Sequence, residues 1–342
     1  MRADQGQARR LHDGAQLSTA TAPRAAIVGI AGTTLTAEEV ALFRRRRPLG
    51  AILFRRNVEA PAQLAALTAA LREELGGDAP ILVDQEGGRV ARLRPPHWAA
   101  YPTPASFEGG PAAAAEANAA LLGAECAAFG LDVVCAPCLD LRLPGQHQVI
   151  GDRAFSADPA EIARIGAAWV RGLQSAGCIP VIKHIPGHGR ALVDSHESLP
   201  RVDAPAADLA ADIAPFRDLA GCGDPASLWA MTAHILYAAW DAQRPATLSP
   251  VVIERVIRGE IGFDGVLVSD DLAMGAMGGL SDDLAGAAIG AGCDLVLHCT
   301  GVLAETAAIL EACPVLSDQA ARRLDAARAA TERARLPAQV VA

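Results

Sequence analysis

Short apolar runs alternate along this chain with longer Ala- and Leu-rich amphipathic segments. The runs predict strands at Ala25–Ala31, Leu49–Phe54, Ile81–Gln85, Leu131–Ala136, Pro180–His184, Leu228–His234, Gly265–Ser269 and Cys293–His298. Helical patterns fall between most of them, as at Glu38–Arg47, Ala62–Glu74, Pro159–Ser175 and Ser249–Ile261, with Asp318–Arg333 left as a closing helix. Pro159 and Pro250 sit near helix starts, where a missing N–H costs nothing. Eight strands with intervening helices match the size and rhythm of an α/β fold of the single (β/α)8, TIM-type barrel kind. A doubly wound open sheet repeats the same βα unit and is the rival. One regularity favours the barrel. Asp84, Lys183 with His184, His234 and Asp270 each stand where an apolar run ends, and in a barrel the C-terminal ends of all strands meet at one mouth. No second domain is discernible. Residues 1–23 are expected to form a flexible N-terminal extension and 24–342 the barrel domain. The run Arg44–Arg47 reads as a solvated helix C-terminus favoured by the macrodipole.

Composition narrows the function. Across 342 residues, 51% are hydrophobic, which excludes disorder, and the formal charge of −9 argues against general nucleic-acid binding. The N-terminus holds no apolar stretch suited to a signal peptide, and no run approaches the ~20 residues of a membrane span, so no membrane partner is expected. The eight cysteines are scattered with apolar flanks and read as buried free thiols in a cytoplasmic protein. Cys135 and Cys138 form a CxxC, but no second pair follows at zinc-ribbon spacing. Aromatics are scarce, with 4 Trp, 2 Tyr and 7 Phe, which limits any site built on ring stacking.

The densest chemistry lies in Lys183-His184-Ile185-Pro186-Gly187-His188-Gly189-Arg190, followed by Asp194-Ser195-His196. Proline and two glycines after a strand end predict an irregular loop on a rigid scaffold. Asp194 and His196, two apart, form a carboxylate–imidazole pair if the loop bends, and a polar turn otherwise. Such a pair can serve as acid and base in one site. His188 fits a loop-holding role. Asp270 and Asp271 follow a buried-looking strand; Asp270 is expected at the mouth as nucleophile, ligand or electrostatic stabiliser, and Asp271 as a loop support or cap. In Asp84-Gln85-Glu86-Gly87-Gly88-Arg89-Val90-Ala91-Arg92, Asp84 suits sugar hydroxyls and Arg92 an anion or carbonyl oxygen. Gly87-Gly88 matches neither a dinucleotide fingerprint nor a phosphate loop. Arg153, in Gly151-Asp152-Arg153, is a further charged binder on a loop.

These segments resemble glycoside hydrolase family 3, and within it the single-domain bacterial β-N-acetylhexosaminidases of peptidoglycan recycling. The resemblance rests on ILFRRN (52–57), VDQEGGRVARLR (83–94), VIGDRAFS (149–156), IKHIPGHG (182–189), DSH (194–196), MTAHILY (231–237) and GFDGVLVSDDLAM (262–274). It implies a (β/α)8-like barrel with Asp270 as catalytic nucleophile, His196 as acid/base and Asp194 as its dyad partner. It further implies sugar-binding positions at Asp84, Arg92, Arg153, Lys183 and His184. The implied mechanism is retaining, through a covalent glycosyl–Asp intermediate, with a histidine where most retaining glycosidases use a second carboxylate. Larger relatives usually take their acid/base from a second domain, which this chain is expected to lack. The implied substrate is a small, soluble muropeptide-derived or anhydro-sugar carrying terminal β-linked N-acetylglucosamine, with no cofactor and no metal. A monomer is the default expectation. Three other readings stay open: a metal-dependent hydrolase using His184, His188, His196, His234 and Asp270, a non-catalytic sugar binder, and a phosphorylase in which phosphate replaces water.

Overall fold

The computed structural model describes residues 22–222 and 225–335, so residues 1–21 of the expected extension lie outside the described residues. Eight parallel strands close into a barrel: β1 (Arg24–Gly29), β2 (Pro48–Leu53), β3 (Ile81–Val83), β4 (Val133–Val134), β5 (Ile179–Ile185), β7 (Trp229–Thr232), β9 (Val266–Asp271) and β10 (Leu295–His298), with β10 pairing back onto β1. All eight runs legible in the sequence are barrel strands, and the open-sheet rival is excluded by that closure. Two short strands, β6 (Arg201–Val202) and β8 (Leu236–Tyr237), pair in parallel and join the connection after β5 to the connection after β7.

The helices are α1 (Ala37–Arg46), α2 (Pro61–Leu75), α3 (Ala112–Ala128), α4 (Pro159–Ser175), α5 (Ala206–Ala220), α6 (Leu284–Ala291), α7 (Leu303–Ala312) and α8 (Asp318–Arg335). Local chemistry sets their ends. Thr36 and Glu39 form a reciprocal capping box on α1, Asp158 caps α4, and Pro61 and Pro159 occupy first turns. The helical pattern at Ser249–Ile261 is realised as a π-type helix over Val252–Glu260, with Ile261 N–H reaching the Val256 carbonyl five residues back. Among the described residues no helix is long and apolar enough to cross a membrane. All eight cysteines are free, and Cys135 and Cys138 belong to the buried interior.

Closure puts every strand's C-terminal end on one rim. Asp84 follows β3 directly, Asp270 and Asp271 end β9, and His234 stands two residues past β7. In β5 the pairing with β7 shifts register between Lys183 and Ile185, and the Lys183–His184 peptide is cis. Lys183 and His184, consecutive in a strand, both line the cavity at the mouth.

The outer layer is tied in by Trp169 of α4, which is fully buried with Phe107 and Phe155 at ring-centroid distances of 5.5 and 5.6 Å. Trp169→Ala is expected to lower stability by about 3–5 kcal/mol, because the vacated volume cannot collapse fully. Urea unfolding followed by circular dichroism measures this, and an unchanged midpoint would contradict the packing role.

Candidate active site

The mouth holds a cavity of about 680 Å³, and one wall of it is made of ion pairs. Strand alternation after β3 turns Asp84 and Glu86 the same way and Gln85 the other. Lys183 Nζ lies 2.9 Å from Asp84 Oδ1 and 2.6 Å from Glu86 Oε1, with its side chain 2% exposed. Arg153 donates from Nε and Nη2 to the two Glu86 oxygens, both at 2.9 Å, in a bidentate pair. Arg92 Nη2 donates to Asp84 Oδ2 at 2.9 Å. Burial alone would raise the Asp84 and Glu86 carboxyls, but the neighbouring cations outweigh it; Asp84 is held well below the usual range and Glu86 at about 2. Burial likewise disfavours the Lys183 cation, and Asp84 and Glu86 more than restore it.

The turn that delivers Arg92 is built for the purpose. Gln85 Oε1 accepts from the Arg92 and Leu93 N–H groups, and its Nε2 donates to the Leu93 carbonyl. Gly87 and Gly88 have φ of +93° and +56°, a conformation other residues rarely adopt. Arg89 then clips the neighbouring loop, donating to Asp152 and to the carbonyls of Gln148, Val149 and Ile150.

Asp270 lines the same cavity. Its Oδ1 accepts from the Asp271 N–H at 2.8 Å, and its Oδ2 lies 4.0 Å from His184 Nε2. Burial opposes its ionisation, but His184, His234 and that N–H outweigh it, so Asp270 sits below the ordinary carboxylate range and is ionised at neutral pH. His184 is oriented by Asp140, whose Oδ2 lies 2.7 Å from Nδ1; a carboxylate only accepts, so Nδ1 carries the proton and Nε2 faces Asp270. Asp271 Oδ1 accepts from Ala273 N and Cys299 N, which is the loop support expected of it. His234 spans Thr247 Oγ1 and the Asp271 carbonyl, at 2.7 and 3.0 Å.

The third part is the loop after β5. It does bend: Glu197 N and Ser198 N donate to the Asp194 carbonyl, and the Asp194 carboxylate accepts from His196 N at 2.9 Å and lies 2.7 Å from His196 Nδ1. Burial would raise Asp194, but these bonds to His196 bring it below the ordinary range. His196 remains 62% exposed and, like Asp194, lines the cavity. Its Nε2 is the nitrogen left for a substrate.

Comparison with known proteins now decides the family. The profile of the Glycosyl hydrolase family 3 N terminal domain matches residues 14–330. A β-hexosaminidase of Alkalilimnicola ehrlichii is 42% identical over 80% of each chain, and one of Pseudomonas aeruginosa 40% identical over 80% of this chain and 81% of its own. The structure of NagZ from Neisseria gonorrhoeae in complex with N-trifluoroacetyl-D-glucosamine superposes with a TM-score of 0.78, at 32% identity, over 91% of this chain and 93% of that one. A family 3 β-N-acetylglucosaminidase from a Paenibacillus species gives a TM-score of 0.79 at 34% identity, over 93% of this chain but 63% of that protein's length. The chain belongs to glycoside hydrolase family 3. It is a glycoside hydrolase of the β-hexosaminidase type.

In this family 3 enzyme the eight residues given a catalytic or sugar-binding role from the sequence all line the one cavity: Asp84, Arg92, Arg153, Lys183, His184, Asp194, His196 and Asp270; His188 and His234 stand behind it. The sequence reading passed over two carboxylates on which they depend. Glu86 could have been found, since it shares the alternation of Asp84. Asp140 gave less signal, because Pro137 interrupts the apolar run while the chain continues toward the mouth beside β5. The metal-binding set of the rival reading is not assembled: both His234 nitrogens and the His196 Nδ1 are engaged elsewhere. The described donors that do cluster are Cys138, Asp140 and His184. There burial pushes the Cys138 thiol well up, keeping it protonated, and Asp140 already accepts from His184 and from the His188 N–H. The trio fits a hydrogen-bonded cluster better than a metal centre.

Glu86 supplies a stability test. A carboxyl held at about 2 when folded, against 4.5 ordinarily, contributes stability that is complete above about pH 4.5 and is lost as pH falls toward 2. Glu86→Gln leaves two buried cations short of a partner and is expected to cost about 3–5 kcal/mol at neutral pH. The gap to wild type should narrow steadily between pH 4.5 and 2 in thermal melts; a gap independent of pH would contradict the ion-pair account.

Proposed function

We propose that this enzyme is a retaining exo-β-N-acetylglucosaminidase that removes terminal β-linked GlcNAc from small muropeptide-derived sugars in cytoplasmic cell-wall recycling. The observation that carries the reading is Asp270, an ionised carboxylate at the barrel mouth, sharing its cavity with the Asp194–His196 dyad and a wall of paired charges. In the first step an Asp270 oxygen forms a bond to the anomeric carbon as the bond to the aglycone oxygen breaks, and protonated His196 delivers its proton to that oxygen. In the second, neutral His196 takes a proton from water, the water oxygen bonds to the anomeric carbon, and the ester to Asp270 breaks. Asp194 fixes the ring so that Nε2 serves both transfers.

Asp84, Arg92, Arg153, Lys183 and His184 are proposed to bind the sugar's hydroxyl and carbonyl groups. Ion pairs and hydrogen bonds among them and to Glu86 and Asp140 fix them before substrate arrives, so little reorganisation is needed on binding. The cavity volume, about 680 Å³, suits a sugar with a short aglycone, and among the lining residues only Phe54 is a phenylalanine, tyrosine or tryptophan. A single-sugar pocket needs no stacking platform, which supports exo action. Free, mostly buried thiols support a reducing compartment.

Hydrolysis of an aryl β-N-acetylglucosaminide tests the assignment. Asp270→Ala should lower kcat by about a thousandfold or more, while unchanged turnover would refute the nucleophile. Proton NMR of the first product should show the β-anomer. Added inorganic phosphate should leave free GlcNAc as the product; accumulation of the sugar 1-phosphate would establish phosphorolysis instead.

A further inference from the structure

Between Leu192 and Leu199 the loop that carries Asp194 and His196 is exposed or half-exposed at every position but one. The exception is Ser195, between the two dyad residues, which is 3% exposed while Leu192 is 66% exposed. Its hydroxyl lies 3.1 Å from His188 Nε2, and His188 is itself 3% exposed. The His188 N–H donates to Asp140 Oδ1 at 2.6 Å, and its ring packs edge-on against His184 at 5.5 Å between centroids. Asp140 thus holds both the histidine facing Asp270 and the histidine facing Ser195.

The other side of the loop is gripped from β9. After Asp270 and Asp271 the chain makes a tight turn, in which Gly275 N–H donates to the His196 carbonyl at 3.0 Å and Ala276 N–H to the Ser195 carbonyl at 3.1 Å. The approach is close enough that a Cβ on residue 275 would stand 2.7 Å from the His196 carbonyl oxygen and 2.6 Å from that of Glu197. Only glycine fits that contact without displacing the loop.

We propose that Ser195, His188 and Gly275 are positioning residues that seat the dyad loop and fix His196 over the cavity. This inference rests on the reading of His196 as the acid/base. The physical reason for such a seat is the exposure of His196: an imidazole that packs against little must inherit its position from the backbone beside it. Ser195 supplies a buried side-chain anchor one residue before His196, and Gly275 supplies a backbone anchor at His196 itself. Burial, aided by the neighbouring His184, lowers His188 to about 4, so at neutral pH its ring meets the hydroxyl uncharged.

The test compares Ser195→Ala, Gly275→Ala and His196→Ala with wild type on aryl β-N-acetylglucosaminides whose phenols span a range of acidity, with and without sodium azide. Azide attacks the glycosyl-enzyme without needing a base, so azide acceleration and a glycosyl azide product report loss of acid/base function rather than general damage. Ser195→Ala should lose on the order of 10- to 100-fold in kcat/KM on the least acidic phenol, consistent with a displaced catalytic group. It should lose far less on the most acidic phenol, and azide should accelerate its turnover there. Gly275→Ala should show the same signature with an unchanged hydroxyl at Ser195. Equal losses across all phenols without an azide response, or wild-type behaviour throughout, would overturn the seat. If His196→Ala carries the signature and the other two do not, the seat alone falls. If His196→Ala lacks it, the acid/base assignment falls and the seat with it.

Discussion

The site depends on the burial of Lys183. An ammonium 2% exposed to solvent is tolerable only with carboxylates against it, and it has two, Asp84 and Glu86. Those carboxylates in turn need Arg92 and Arg153, each at 2.9 Å, to offset their own desolvation. The five groups come from β5, the exit of β3 and the loop ending at Arg153, so none can be buried unless the barrel has closed and that loop has folded against it. Fold and site are one problem here. The set carries three cations against two anions, and Lys183 adds to the influences that keep Asp270 ionised.

This arrangement divides the mouth into a fixed half and a tethered half. The charged wall, His184 on Asp140 and Asp270 at the end of β9 are held by groups that are buried or half-buried. The Asp194–His196 pair instead stands on an exposed loop, gripped at Ser195 from below and at the Ser195 and His196 carbonyls from the β9 turn. Substrate recognition benefits from rigidity, because charges already paired need not reorganise. The Asp194–His196 pair keeps an imidazole 62% exposed beside the cavity, at the cost of packing. The β9 turn bridges the halves, so residues shortly after Asp270 also hold the loop that carries Asp194 and His196.

Much of this was legible in the sequence, for identifiable reasons. Strands buried on both faces leave continuous apolar runs, and a chemically capable residue at the end of each run marks the rim; Asp84, Lys183, His184 and Asp270 follow that rule. Asp194 and His196 were visible as a pair, but their bend was not, because it is made by backbone bonds to the Asp194 carbonyl. Arg153 was visible only as a charged residue on a loop. Its meaning comes from Glu86, 67 residues earlier, and no local pattern encodes such a pairing. Asp140 was hidden by brevity: β4 pairs over Val133–Val134 alone, so alternation gives no direction to a residue six positions later. The π-type helix was read as an ordinary one because its buried Val252, Ile253, Val256 and Ile257 fit either winding.

The scarcity of aromatics has a structural counterpart at the mouth. Phe54 is the one phenylalanine, tyrosine or tryptophan lining the cavity, and its ring lies under two guanidinium groups, Arg56 at 4.9 Å and Arg92 at 5.3 Å. Its face is occupied in holding cations, one of which is the partner of Asp84. The polar groups left to face a ligand are ones already paired with one another. Such a site discriminates sharply, because a ligand lacking a hydroxyl or carbonyl leaves a desolvated charge without its added partner, a penalty that apolar contact cannot offset. A stacking platform would accept any sugar face presented to it. A wall of paired charges favours a ligand whose polar groups match its own, so at this mouth the spacing of the charged groups constrains a ligand more than cavity size does.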